Sequence, residues 1–438
     1  MKTSAFNFFF PYEDGQKHIA YNSYTNSLAL LEKDKYEAFQ RFEKHNEKLP
    51  EDFTTQLKRG GFIIDGETSE LDGLRYRMFR TRFNTDSLNL TIAPTADCNF
   101  RCAYCYEKDV LKPDYMSQEV EDAIIKLAES KIKTISILSI TWYGGEPLMN
   151  MGTIERLSRK FINLCEENGV KYHAFMITNG YLLTPDYVKL LNELKVNSLQ
   201  VTIDGTEDTH NKNRPLADGS TTYDTIMSNL IAAKDILPNT NLRVNVDKNN
   251  TGAWREIAKE LDKHGLNDKV KTGLGKITSE FDTYDKNSCF DCGGFSKELL
   301  SHYMEFYGET GFMGQYPSAK SNYCGADHEN SYCIAADGKL YKCWMEIGRE
   351  EGCIGSIVDK AVTGRNKHLT YMMQDPTTNN GCSTCDVLPI CMGGCPKRKL
   401  DGETDCSTYK YVLEGFLQNI SKQIKANSEK NSAVKATT

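Results

Sequence analysis

The chain of 438 residues is 39% hydrophobic and 26% charged, carries 15 cysteines and has a formal net charge of -7. Its length exceeds what one compact core normally holds, so two or three domains are expected, and its composition is that of a globular chain, not a disordered one. The longest apolar opening run, Phe6 to Phe10, is too short for a signal peptide or membrane helix, and no basic stripe offsets the acidic balance, so a cytoplasmic protein without membrane or nucleic-acid partners is expected. In a reducing compartment, clustered thiols read as metal ligands before they read as disulfides.

Residues 1–75 read as a small opening domain. Lys17 to Tyr21 and Ser27 to Leu31 have the pattern of two short strands, joined by the turn-rich Asn22-Ser23-Tyr24-Thr25-Asn26. Tyr36, Phe39 and Phe42 recur at helical spacing, Phe53 and Leu57 mark a second short helix stopped by Gly60-Gly61, and Phe62 to Ile64 return as a strand. Taken alone, this is a small α+β decoration.

Residues 86–310 alternate strand and helix. Strands are expected at Leu88 to Ala93, Ile137 to Tyr143, Tyr172 to Ile177, Ser198 to Ile203, Asn241 to Val246 and Val270 to Ile277. Between them, Val120, Ala123, Ile124 and Leu127 form one apolar helical stripe and Trp254, Ile257, Ala258 and Leu261 another, with Ser117 and Thr251 as N-caps. Six successive βα units imply a parallel sheet curled by right-handed crossovers into a partial (β/α)6 TIM-like barrel of the α/β class. Barrels of this kind place their active sites at the carboxyl ends of the strands.

Unusual residues fall at those ends. After the first strand come Cys98, Cys102 and Cys105, separated by three residues and then two, a ligand set one short of the four that zinc or an iron-sulfur cube normally takes. Stray thiols, or a structural zinc with a distant fourth ligand, are the alternatives. Gly144-Gly145-Glu146-Pro147 follows the second strand, Thr178-Asn179-Gly180 the third, and Thr202-Ile203-Asp204-Gly205 closes the fourth. One glycine would be an ordinary turn; special residues after four consecutive strands are a constellation. Glu280, Asp282 and Asp285, near the last strand, read as solvated carboxylates.

The spacing CxxxCxxC with an aromatic residue before its last cysteine resembles the signature of radical SAM enzymes. The resemblance implies that Cys98, Cys102 and Cys105 hold three irons of a [4Fe-4S] cluster whose fourth iron is chelated by S-adenosylmethionine, which is then reductively split to methionine and a 5'-deoxyadenosyl radical. It further implies that Tyr104 reaches the adenine mainly through its backbone, and that Gly144, Gly145, Glu146 and Pro147 form the GGEP element holding the methionine ammonium, with Glu146 in a sequestered ion pair. Thr202 and Arg214 match positions that contact the ribose and carboxylate, within an Asp204 to Arg214 stretch resembling the DG…H…R pattern. Asn179 belongs to the TNG element.

Beyond Pro317 the composition shifts to cysteine. Cys324, then Gly338 five residues before Cys343, then Cys382, Cys385, Cys391, Cys395 and Cys406 resemble the seven-cysteine SPASM pattern, so the likeness spans residues 86 to 410. It implies one auxiliary [4Fe-4S] cluster on Cys382, Cys385, Cys391 and Cys406 and another on Cys324, Cys343 and Cys395, making three clusters in all. The latter either has an open iron or recruits Cys289, Cys292, Cys333 or Cys353, while Cys165 reads as a buried helix residue. A zinc ribbon over residues 324 to 406 is the alternative. The expected order is thus an opening domain (1–75), the barrel (86–310), a SPASM domain (318–410) and a C-terminal helix and tail (411–438).

An electron carrier or redox sensor would need the clusters but not Gly144 to Pro147 or Arg214, so an enzyme is expected. The opening domain resembles the winged-helix-like recognition element of peptide-modifying enzymes, in which a sheet edge accepts a leader peptide as an added strand. The resemblance implies a maturase of ribosomally made peptides of the sactipeptide or ranthipeptide kind, which takes a hydrogen from a precursor peptide and closes a cysteine thioether, with flavodoxin or ferredoxin as electron donor. A carbon-carbon or carbon-oxygen cross-link is the alternative. Formylglycine formation is disfavoured, because Trp344 stands where sulfatase-maturating relatives carry the aspartate base. No catalytic base is identified.

Overall fold

The computed structural model describes residues 1–308, 312–359 and 364–436, with side chains up to residue 428. They divide into two units, Met1–Arg82 with Cys292–Tyr323 and Gln374–Thr438, and Phe83–Asp291 with Cys324–Met373. The cysteine-rich stretch contributes to both units, and the C-terminal helix shares a unit with the opening residues; the end of the expected tail, residues 437 and 438, lies outside the described residues.

The first unit begins with β1 (Lys2–Thr3), β2 (Asn7–Tyr12), β3 (Lys17–Asn22), β4 (Ser27–Glu32), α1 (Lys33–His45), α2 (Glu51–Gly60), β5 (Ile63–Ile64) and α3 (Glu70–Arg82). Strands β2, β3 and β4 form an antiparallel meander in that order, and β1 pairs with β5. The turn after β3 is set by Asn22, whose Oδ1 accepts hydrogen bonds from the backbone N–H of Tyr24 and Thr25. Alternation along β3 sends Ile19 and Tyr21 into a core with Leu413, Phe416, Leu417 and Ile420 of the helix Tyr409–Ala436. Ala20 instead joins Phe39, Phe42, Phe53 and Leu57 of α1 and α2. Both faces of the meander are thus buried, at roughly 1.5–3 kcal/mol for each fully buried large side chain, which leaves β2 and β4 as edges.

The second unit contains β6 (Ser87–Ile92), α4 (Gln118–Lys131), β7 (Ile137–Trp142), α5 (Met151–Asn168), β8 (Lys171–Thr178), α6 (Pro185–Glu193), β9 (Val196–Thr202), α7 (Glu207–Asn213), α8 (Tyr223–Ala232), β10 (Asn239–Val246), α9 (Trp254–Lys263) and β11 (Val270–Lys276). The six strands lie side by side in chain order, every pairing parallel, as the sequence predicts. Beyond β6 the sheet continues into β12 (Ser331–Ile334), parallel to β6, and the antiparallel β13 (Lys339–Tyr341) and β14 (Gly355–Ser356). This extension was not legible in the sequence, because it is built from residues far beyond the last βα unit. The sheet is open, since β6 and β11 do not pair.

Ser117 caps α4 as expected, its hydroxyl accepting from Val120 N–H. Thr251 does not cap α9: the helix starts at Trp254 behind Ala253, and the Thr251 hydroxyl donates back to the Asp247 carbonyl. Among the described residues no helix is long and apolar enough to cross a membrane.

Candidate active site

The cysteine loop leaves the carboxyl end of β6 and is stitched to the segment after α7. Arg101 N–H donates to Pro215 O at 2.9 Å, Ala103 N–H to Asn213 O at 2.9 Å, and Ala217 N–H to Asn99 O at 2.8 Å. These bonds fix Cys98, Cys102 and Cys105, all partly exposed, beside Arg214. Burial pushes all three thiols up, Cys105 to about 12, and Cys102 adds to the rise at Cys98 and Cys105. Such thiols stay protonated on their own, and a metal cluster would supply the positive charge that deprotonates them. Among the described residues no three His, Cys, Asp or Glu side chains close on a point sized for a single metal ion.

Gly144 and Gly145 pass directly beneath this loop. Gly144 has φ +94°, and a Cβ on it would meet Ala93 Cβ at 2.6 Å; one on Gly145 would stand 2.1 Å from Asp97 O. Both positions need glycine because backbone runs against backbone. Glu146 is fully buried, and burial raises its pKa despite three donors: Oε1 accepts from Leu148 N–H at 3.0 Å and Thr178 Oγ1 at 2.7 Å, and Oε2 from Asn179 N–H at 2.7 Å. The carboxylate thus ties the end of β7 to the end of β8. No side-chain cation pairs with it among the described residues, so its bonds within the chain are to neutral donors. Asn179 continues the link, its amide donating to Asn99 Oδ1 at 2.8 Å in the cysteine loop.

Behind the loop lies a buried polar cluster. The Tyr104 hydroxyl donates to Asp204 Oδ2 and receives Arg214 Nη1 at 2.8 Å and Asn245 Nδ2 at 2.9 Å. The side chain of Tyr104, and not its backbone alone, is therefore a structural participant. His210 accepts from Asp204 N–H through Nδ1 at 3.2 Å, which puts its proton on Nε2, 3.1 Å from Thr222 Oγ1; that hydroxyl donates to Arg214 O at 2.7 Å. Burial, helped by Arg214, lowers the His210 pKa to about 3, so the ring is neutral. Burial raises the Asp204 pKa, with Arg214 opposing, and Asp204 Oδ1 and Arg214 Nε are buried without a partner. Buried polar atoms in native proteins are normally satisfied, so this pocket fits a polar ligand between the cysteine loop and the end of β9. Thr202 is buried at the same strand end.

Downstream, the first unit holds Cys382, Cys385, Cys391, Cys395 and Cys406. Cys382 and Cys385 share a tight turn, with Cys385 N–H on Cys382 O at 3.0 Å; Lys399 Nζ lies 3.3 Å from Cys382 Sγ. The Lys410 pKa is raised by Cys406, then Cys385, with Cys382 a smaller cause. Cys324 and Cys343 belong to the second unit and Cys395 to the first. Cys165 is buried in α5 as expected. Glu280 is also buried, contrary to the solvated reading, while Asp282 and Asp285 are exposed.

Residues 92–261 match the family model of the radical SAM superfamily. The chain carries a radical SAM domain. The cysteine-type anaerobic sulfatase-maturating enzyme of Clostridium novyi (strain NT) is 23% identical over 373 residues, covering 77% of this chain and 96% of that protein. The solved structure of native anSMEcpe with bound AdoMet superposes with a TM-score of 0.62 at 19% identity, over 78% of this chain and 99% of that one. Streptococcus suis SuiB bound to its precursor peptide SuiA gives a TM-score of 0.54 at 14% identity, over 92% of this chain and 97% of that one. These likenesses show the partial-barrel fold of the radical SAM domain.

Within the radical SAM domain, sequence reasoning missed Asn99 and Asn245 and gave Asp204 and His210 no role of their own. The signal for Asn245 was present: Asn241, Arg243 and Asn245 alternate with apolar residues along β10, which marks a polar strand face. Trp344 is 41% exposed and stacks on Tyr143, the residue before Gly144, with ring centroids 5.3 Å apart.

Proposed function

We propose that this radical SAM protein is a SPASM-type maturase of a ribosomally made precursor peptide. When bound, the [4Fe-4S] cluster and S-adenosylmethionine supply an electron and a carbon-centred radical able to remove a hydrogen atom. Cys98, Cys102 and Cys105 would hold the cluster. The unpartnered Asp204 Oδ1 and Arg214 Nε, with Thr202, Gly144, Gly145, Glu146 and Pro147, would receive the cosubstrate. The observation that carries this reading is the hydrogen-bonded seam joining the cysteine loop to Glu146, Asn179 and Arg214 at four consecutive strand ends.

Cys382, Cys385, Cys391 and Cys406 would hold one auxiliary cluster, and Cys324, Cys343 and Cys395 a second, either of which could accept the electron released when a cross-link closes. A cysteine thioether is the product we favour, since an open iron suits a thiolate. The buried faces of the β2–β4 meander support recognition of a leader along its edges. Trp344 cannot act as a base, which weighs against formylglycine formation. Mass spectrometry of the co-expressed precursor peptide tests the reading: loss of two hydrogens is expected, and an unchanged mass with enzyme that cleaves S-adenosylmethionine contradicts cross-linking.

A further inference from the structure

Of the four polar side chains on one face of β10, only Arg243 is charged. Its Nε donates to Asn245 Oδ1 at 2.7 Å, and Asn245 in turn donates to the Tyr104 hydroxyl. Arg243 is paired in register with Thr202 on β9 and Gly273 on β11. A Cβ on Gly275 would stand 2.3 Å from Arg243 Nε and 2.4 Å from Asn245 Oδ1. Strand β11 therefore gives up a side chain where the guanidinium lies against it.

The guanidinium has been given room but no anion. Its two terminal nitrogens donate to no described atom, and no described carboxylate lies within ion-pair distance. Burial lowers its pKa, with Tyr104, Tyr143 and Asp204 pulling the other way. Arg214, in contrast, uses its guanidinium on Tyr104 and on the Phe100 ring. Arg243 is only part-buried, so its free terminal nitrogens stay accessible, and the planar fork of an arginine matches a carboxylate through two parallel hydrogen bonds.

We propose that Arg243 binds a carboxylate of the substrate, an acidic side chain or the C-terminus of the peptide, through its two unused terminal nitrogens. The identity of the ligand as a peptide rests on the function proposed above; the carboxylate site rests on the geometry of β10 and β11.

The test uses the full-length chain with acetate as probe. In sodium acetate, against sodium chloride at matched ionic strength, the wild-type unfolding midpoint should rise. Arg243→Gln should abolish the rise, and Arg243→Lys should leave a smaller one, because an ammonium lacks the fork. No acetate-specific rise in the wild type, or an equal rise in Arg243→Gln, overturns the proposal. In reconstituted protein, Arg243→Gln should bind S-adenosylmethionine as the wild type does; a loss of about tenfold or more would assign the guanidinium to the cosubstrate and overturn its assignment to the substrate. The acetate measurement needs neither cluster nor peptide, so it stands or falls apart from the maturase reading, which fails if S-adenosylmethionine is not cleaved.

Discussion

Gly145 runs so close to Asp97 that a Cβ on it would lie 2.1 Å from the Asp97 carbonyl oxygen, the same oxygen that accepts Glu146 N–H at 2.8 Å. The loop with the cysteines and the loop with the glycines are thus one packed object. Gly145→Ala should push them apart, lowering stability by about 1–3 kcal/mol and cutting iron uptake at Cys98, Cys102 and Cys105. Iron per chain and the unfolding midpoint measure both effects; normal values for both would show that the loops are independent.

Tyr104→Phe removes a hydroxyl that serves Asp204, Arg214 and Asn245 at once. It leaves the buried Asp204 carboxylate without the hydroxyl that bonds its Oδ2, a loss of roughly 1–3 kcal/mol. Because the residues act as a network, Asp204→Asn combined with Tyr104→Phe should be less destabilising than the sum of the two single changes, by about 0.5 kcal/mol or more. Urea unfolding of the four proteins checks this, and strict additivity would contradict it.

Much of this architecture was legible before any coordinates, because a parallel sheet covered by helices writes its period into the sequence. The six barrel strands appear within two residues of their expected bounds, and the pairs Lys17 to Tyr21 and Ser27 to Leu31 fall inside β3 and β4. What was not legible depends on tertiary partners. The Phe-rich start of the chain became β2 because its side chains pack on β3 and on a helix some four hundred residues later. Helix α3 lacks a clean apolar stripe, and β12 to β14 are strands only because the edge of β6 offers them partners. The cysteine spacing foretold a shared site, but the Glu146 bonds to Thr178 and Asn179 required knowing which strands are neighbours.

His210 gives a pH signature. Its folded-state pKa, about 3, lies below the ordinary value of 6.5, so its neutral form is the one the fold accepts. Above the unfolded value neither state is protonated and stability is complete. As pH falls below it, the unfolded chain binds the extra proton, and stability should drop by up to ~1.4 kcal/mol per pH unit until the folded pKa is reached. His210→Gln should remove that slope; an unchanged slope between about pH 6 and about pH 4 would assign it to other groups.

Cys391→Ala should lower iron content by about four per chain if Cys382, Cys385, Cys391 and Cys406 hold one cube. Cleavage of S-adenosylmethionine at the separate Cys98 site should persist. Zinc in place of iron in the purified protein would favour the ribbon reading of the cysteine-rich stretch.

The most direct measurement is the yield of 5'-deoxyadenosine when the anaerobically reconstituted chain is given dithionite and S-adenosylmethionine. The account predicts that the product forms with wild-type protein, is absent with Cys102→Ala, and is strongly reduced with Arg214→Ala. No product from the wild type, or undiminished product from Cys102→Ala, would contradict it.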